Sequence, residues 1–319
     1  MIPNKKYRIL FSILLLSTIL SAKNPFIRHM YSADPSARVF NDTLYVYPSH
    51  DQDTATWFNM NDWHVYSTTD MKTWKDHGVA LSLNDLAWAK RFAWAPDCIQ
   101  KDGKYYFYYP TDKFHIGVAV SDRPYGPFRD PIGKPLLSMD SPGVICNRDF
   151  IDPAILIDDD GSAYMFVGQN TVNAIKLNPD MVSYDGKVHI IEGIDKFFEA
   201  VWVHKYKGKY YLSYSSVDGK ICYAMSDSVF GPYQNEGVIL DEVNSGTNHH
   251  SIVEYKGEWY LFYHTSDLYY QNNPDVEQVL DWNGLMPFRR SICVDYLKYN
   301  ADGTIQKVVP TKTGVKKIN

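Results

Sequence analysis

Three carboxylates, a tryptophan and a histidine hold equivalent places in this chain. Asp34, the Trp94-Ala95 pair, Asp152, Glu199 and His249 each stand seven to nine positions before a polar turn that joins two strand-like runs. Aspartate is depleted in strands and costly to bury without a partner, so acids recurring at the head of a strand point to chemistry rather than packing. Their contexts are Ser32-Ala-Asp34-Pro-Ser, Phe150-Ile-Asp152-Pro-Ala and Phe197-Phe-Glu199-Ala-Val-Trp202. Each acid follows apolar or small residues, which predicts partial desolvation and a raised carboxyl pKa. Taken singly, an Asp before proline is an ordinary turn former. Together, two carboxyls across a cavity suit glycoside hydrolysis: one gives its proton to the leaving oxygen and the other activates water. A third acid nearby holds the first protonated by like-charge repulsion.

The elements that must position these residues repeat. Apolar strand, polar turn and aromatic strand recur with turns near residues 42, 103, 161, 208 and 257, at intervals of 61, 58, 47 and 49. Asp102-Gly103, Lys207-Gly208 and Lys256-Gly257 between β-rich runs are hairpin signals. Each hairpin is followed by further strand-like segments, such as Ile116-Gly-Val-Ala-Val-Ser121 and Ile221-Cys-Tyr-Ala-Met-Ser226, so a unit holds about four strands. Four-stranded units at this spacing predict an all-β fold, a five-bladed β-propeller around a central channel. The five units fill residues 23–319 and leave no second domain. In a propeller the first strand of each blade lines the channel, so ring closure gathers the equivalent positions around one axis. The competing arrangement is a β-sandwich with coincidental hairpins.

Composition agrees with a globular, exported, carbohydrate-facing protein. Of 319 residues, 45% are hydrophobic and 22% charged, which excludes a disordered or collagen-like chain. The net charge of −5 gives no overall attraction to nucleic acid or anionic membranes. Aromatic residues reach 15%, with 25 Tyr and 8 Trp, side chains that suit both sheets and sugars. Residues 1–22 combine Lys5, Lys6 and Arg8 with an apolar run from Ile9 to Leu20 and a small Ser21-Ala22 end. This is the pattern of a cleaved signal peptide, too short for a membrane span, and it predicts a secreted or periplasmic protein. Cys98, Cys146, Cys222 and Cys293 are widely spaced and form no zinc pattern; their pairing stays open.

At these residues the chain resembles glycoside hydrolase family 43, the five-bladed β-propeller glycosidases. The matching motifs are Tyr31-Ser-Ala-Asp34-Pro-Ser, Trp94-Ala-Pro-Asp97, Gly117-Val-Ala-Val-Ser-Asp122, Ile151-Asp-Pro-Ala, Phe198-Glu-Ala, Gly246-Thr-Asn-His249-His-Ser and Arg290-Ser-Ile-Cys-Val-Asp295. The resemblance implies an inverting mechanism, with Asp34 as general base, Glu199 as general acid, and Asp152 tuning that acid and orienting substrate. It also implies that Trp94 walls the sugar pocket and that Arg290, rather than Arg289, approaches Asp152 or the sugar hydroxyls. His249 matches a central histidine that contacts a calcium ion directly or through water; otherwise it is a histidine hydrogen-bonded beside an acid. No other cofactor is implied, and the partner is a carbohydrate.

Substrates implied by the resemblance are arabinose- and xylose-containing plant polysaccharides. The expected activity is that of an exo-acting α-L-arabinofuranosidase, then a β-xylosidase, with arabinanase and galactosidase as further family specificities. The insertions at residues 49–61 and 268–287 are expected to edge the pocket. The invertase-like five-bladed glycosidases fit poorly, because Arg148-Asp149 is separated from Pro153 and Glu199 precedes Ala200 rather than cysteine. A sugar-binding propeller without catalysis is the non-enzymatic alternative.

Overall fold

A two-residue turn with both central φ angles positive continues the right-handed twist of the strands it joins. Asn41 and Asp42 (φ 48° and 58°), Asp102 and Gly103 (50° and 78°), Lys207 and Gly208 (49° and 79°), and Lys256 and Gly257 (50° and 82°) all adopt it. In the computed structural model, which describes residues 23–278 and 288–318, these turns join the first two strands of four sheets. The remaining sheet uses a longer turn, closed by Gly161 N to Asp158 O and Asp158 N to Ser162 O.

Each sheet is an antiparallel meander in chain order. The first holds β1 (Tyr31–Phe40), β2 (Thr43–Asp51), β3 (Asp62–Thr68) and β4 (Lys75–Ser82). The second holds β5 (Asp97–Lys101), β6 (Lys104–Thr111), β7 (His115–Ser121) and β8 (Leu137–Ser138). The third holds β9 (Ala154–Ile157), β10 (Ala163–Val167), β11 (Asn173–Leu177) and β12 (Tyr184–Ile190). The fourth holds β13 (Phe197–Tyr206), β14 (Lys209–Ser216), β15 (Ile221–Ser226) and β16 (Gln234–Leu240). The fifth holds β17 (His250–Tyr255), β18 (Glu258–Thr265) and β19 (Ser291–Leu297), with a short helix, α1 (Asp267–Asn272), following β18.

The first strands touch in cyclic order, β1 with β5, β5 with β9, β9 with β13, β13 with β17, and β17 with β1. This closes a five-bladed β-propeller. In the fifth blade the edge beyond β19 is occupied by the N-terminal segment: Phe26 N donates to Ile292 O, and the Asn24 side chain bonds both N and O of Val294. The N-terminal segment thereby completes the blade built by the last strands of the chain. Blades stack face to face, so second strands are buried on both sides, and the run Tyr105–Tyr109 in β6 is packed throughout.

The axis is filled below one mouth. Asp97 of β5 accepts from Ser36 Oγ and Arg38 of β1, and from the backbone N of Ile155 in β9. Arg38 also bonds Ile155 O and lies 4.1 Å over the Trp202 ring of β13, whose Nε1 reaches Ile252 O of β17. One buried ion pair thus ties all five inner strands; removing a single partner would strand a charge at a cost of about 3–5 kcal/mol. All four cysteines are free thiols. The proposed signal segment, residues 1–22, lies outside the described residues.

Candidate active site

The inner strands are irregular where they meet the open mouth. β1 slips register between Ala33 and Ser36, and β13 slips on both sides of Glu199. A bulge re-aims a side chain, and these two re-aim Asp34 and Glu199. Asp34 (φ 51°), Asp152 (φ 60°) and Ala200 (φ 60°) take the left-handed backbone, which costs about 1–2 kcal/mol for each non-glycine residue. The turned Ala200 N donates to Asp152 Oδ2 at 2.9 Å, so the strain around Glu199 serves its neighbouring acid. Asp34, Asp152, Glu199, Trp94, His249 and Arg290 all line one cavity of about 250 Å³.

Asp34 is the charged carboxylate. Arg290 Nη1 donates to its Oδ1 at 2.8 Å, Ser49 Oγ donates to its Oδ2 at 2.5 Å, and its backbone N donates to His264 Nδ1. Burial works to raise this carboxyl, but Arg290 leads a set of opposing influences, with His249, His264 and Ser49, that brings it down to about 2. The expected upward shift is therefore corrected for Asp34: desolvation is the largest single influence, but the Arg290 charge together with His249, His264 and the Ser49 hydrogen bond outweighs it.

The other two acids behave in the opposite sense. Burial, then the neighbouring Glu199 and Asp34 charges, pushes Asp152 well above the usual carboxylate range. Burial raises Glu199 to about 7, with Asp34 adding to the rise, while the Gln169 amide, donating from Nε2 to Glu199 Oε2 at 2.7 Å, opposes it. The two groups titrate as a pair, so near neutrality the site retains a proton on this side and a carboxylate on the Asp34 side. Environments that push carboxyl pKa values apart create an acid and a base in one cavity.

No hydrogen bond or ion pair joins Arg290 to Asp152, although the guanidinium charge still works to lower that carboxyl. Arg290 Nε and Nη2 bond both oxygens of Asp51 at 2.9 Å, its backbone N bonds the same carboxylate, and its remaining reach goes to Asp34. The end of β2 holds Asp51 beside Asp34, so this doublet captures the guanidinium. Arg289 lies outside, 4.3 Å over the Tyr269 ring. Asp51, 1% exposed, was not singled out in the sequence, nor was Gln169. Trp94 stands in an aromatic wall with Trp57 (5.7 Å) and Phe92 (4.9 Å), and its Nε1 is fixed on Phe58 O. Trp57, Phe58 and Met60 of the first insertion line the cavity, as does Phe288; residues 279–287 of the second lie outside the described residues.

His249 Nδ1 is 3.7 Å from Asp34 Oδ1 and 3.8 Å from Asp152 Oδ2, and burial lowers its pKa to about 4, leaving a neutral imidazole at neutral pH. Calcium takes about six to eight oxygen ligands. Here the nearby carboxylates are already engaged by Arg290 and Ala200 N, so this donor set fits only an ion that keeps most of its water.

A five-bladed propeller whose axial mouth carries one depressed and two elevated carboxyls, walled by aromatic rings, defines a glycosidase. The chain belongs to glycosyl hydrolases family 43, whose profile matches residues 22–305. A xylosidase/arabinosidase of Bacteroides ovatus is 38% identical over 86% of this chain and 94% of its own. An α-L-arabinofuranosidase structure from Clostridium thermocellum is 42% identical, covers 89% of this chain and 95% of its own, and has a TM-score of 0.75. A β-xylosidase/α-arabinofuranosidase from a compost microbial metagenome, solved with xylotriose in a calcium-free form, is 37% identical, with a TM-score of 0.78 over 90% of this chain and 97% of its own.

Proposed function

We propose that this protein is an exported, inverting exo-glycosidase that removes terminal pentosyl units from arabinose- and xylose-containing polysaccharides or their fragments. The opposed shifts of Asp34 and Glu199 within one cavity carry this reading. Asp34, ionised, takes a proton from a water that attacks the anomeric carbon. Glu199, protonated, gives its proton to the glycosidic oxygen as the bond to that oxygen breaks. Asp34 ends protonated and Glu199 ionised, and exchange with solvent restores both. Asp152, held protonated by burial and by the Glu199 and Asp34 charges, hydrogen-bonds a sugar hydroxyl and orients the ring. Trp94 and Trp57 present flat apolar faces to the ring. A calcium ion held by His249 through water would add positive potential beneath the carboxylates.

The cavity of about 250 Å³ suits a terminal sugar rather than a threaded polymer, which supports exo action. We place α-L-arabinofuranosides first and β-D-xylosides second; relatives bearing both activities in their names favour turnover of both. The basic and apolar run of residues 1–22, ending where the family match begins, supports export. The test is hydrolysis of nitrophenyl α-L-arabinofuranoside, nitrophenyl β-D-xyloside, arabinan and arabinoxylan, with proton NMR of the first-formed anomer. Pentose release with inversion is expected; no turnover of either nitrophenyl glycoside, or retention, would overturn the proposal.

A further inference from the structure

Behind the catalytic base, on the opposite face of the first blade, three metal-ligating side chains converge. Ser49 pairs with Trp63 across β2 and β3, which sets His50 opposite Asp62. His64 is two residues further along β3 and so projects from the same face as Asp62. His50 Nδ1 is 2.7 Å from Asp62 Oδ1, and His64 Nε2 is 3.6 Å from that same oxygen. One ligand atom from each residue lies within 4.8 Å of the others, and the two imidazole centroids are 5.0 Å apart.

His64 is the unexplained member. Its side chain is only 15% exposed, its Nδ1 is buried without a hydrogen-bond partner, and its Nε2 stops short of bonding Asp62. Asp76 Oδ1 of β4 faces Nδ1 from 4.0 Å, while the other oxygen of Asp76 is held by His29 Nε2 at 2.9 Å. An ion on Nε2 would place the ring proton on Nδ1, toward Asp76, in a carboxylate–histidine–metal relay. Ligand atoms on a tetrahedral zinc with bonds of about 2.0–2.1 Å stand roughly 3.3 Å apart. The observed 2.7 and 3.6 Å bracket that spacing.

We propose that His50, Asp62 and His64 bind a divalent first-row transition ion such as Zn²⁺, with Asp76 orienting His64 and water completing the shell. Two imidazoles and one carboxylate select such an ion over calcium. The ion fastens β2 to β3. Ser49 and Asp51, which hold Asp34 and Arg290, flank His50 in β2, so the ion buttresses the strand that positions the base.

The test is titration of Zn²⁺ into chelator-treated, untagged full chain by calorimetry, together with thermal unfolding. Expected are one strong equivalent in the wild type and in His249→Ala, at least about tenfold weaker binding in Asp62→Asn and His64→Gln, and a roughly 10–100-fold loss in Asp76→Asn. Zn²⁺ should raise Tm in the wild type and not in His64→Gln. Absence of a stoichiometric site in the wild type, or affinity undiminished in both Asp62→Asn and His64→Gln, overturns the proposal. So does binding abolished by His249→Ala but kept by Asp62→Asn.

Discussion

Gln169 offers a quantitative handle on the proposed acid. It is 3% exposed, donates Nε2 to Glu199 Oε2 at 2.7 Å, and leaves its Oε1 without a partner. An N–H donated to a carboxylate favours the ionised form, so this bond holds the Glu199 pKa down. Gln169→Met keeps the volume and removes the donor. A hydrogen bond to a charged group contributes about 1.5–3 kcal/mol, and one pKa unit corresponds to about 1.4 kcal/mol, so its loss should raise Glu199 by about 1–2 units. From a starting value of about 7, the basic limb of kcat/KM should move upward by that amount. The assay is the pH profile of kcat/KM on nitrophenyl α-L-arabinofuranoside for both proteins. A basic limb that stays in place, or moves down, would refute the assignment of that limb to Glu199 and of Gln169 as its restraint.

Two further predictions rest on the same electrostatics. Glu199 has a folded pKa of about 7 against an ordinary 4.5, so its ionisation costs stability as pH rises through that window and costs nothing below it. Glu199→Gln, permanently neutral, should therefore be more stable to urea than wild type by about 3 kcal/mol at pH 8 and indistinguishable from it at pH 4; equal stability at both pH values would contradict the shift. Asp34 is held at about 2 chiefly by Arg290. Arg290→Gln should move the acidic limb of kcat/KM upward by about 2 units or more and lower kcat, and Ser49→Ala should move that limb the same way by about one unit; an unmoved limb in both variants would remove Asp34 as the group that limb reports.

What could be read before the fold was known, and what could not, follows from the range of the interactions involved. The hairpins are local: Asn41-Asp42 and the three Xaa-Gly turns carry their conformation in two residues, and their spacing announces the blades. The phase shared by Asp34, Asp152 and Glu199 was legible because ring closure converts a repeat in sequence into proximity in space. Arg290 was legible as a pocket residue, but its partners were not, since Asp51 and Asp34 are 239 and 256 positions away. The downward shift of Asp34 followed from that missed contact. Gln169 sits after β10, outside the repeated position, and only the register slip around Glu199 brings the two together. Asp97 was legible as part of the Trp94-Ala-Pro-Asp97 motif, but its role was not: the fold makes it the axial partner of Arg38, 59 positions away.

The division of labour between Asp34 and Glu199 is tested most directly by a leaving-group series. An acid matters in proportion to the proton demand of the departing oxygen, whereas a base acting on water is indifferent to it. Glu199→Gln should cost about 10²–10⁴-fold in kcat/KM on xylo- or arabino-oligosaccharides and much less on a dinitrophenyl glycoside, while Asp34→Asn should lose activity on both alike. Uniform loss across the series for Glu199→Gln, or a leaving-group dependence that appears in Asp34→Asn instead, would contradict the account.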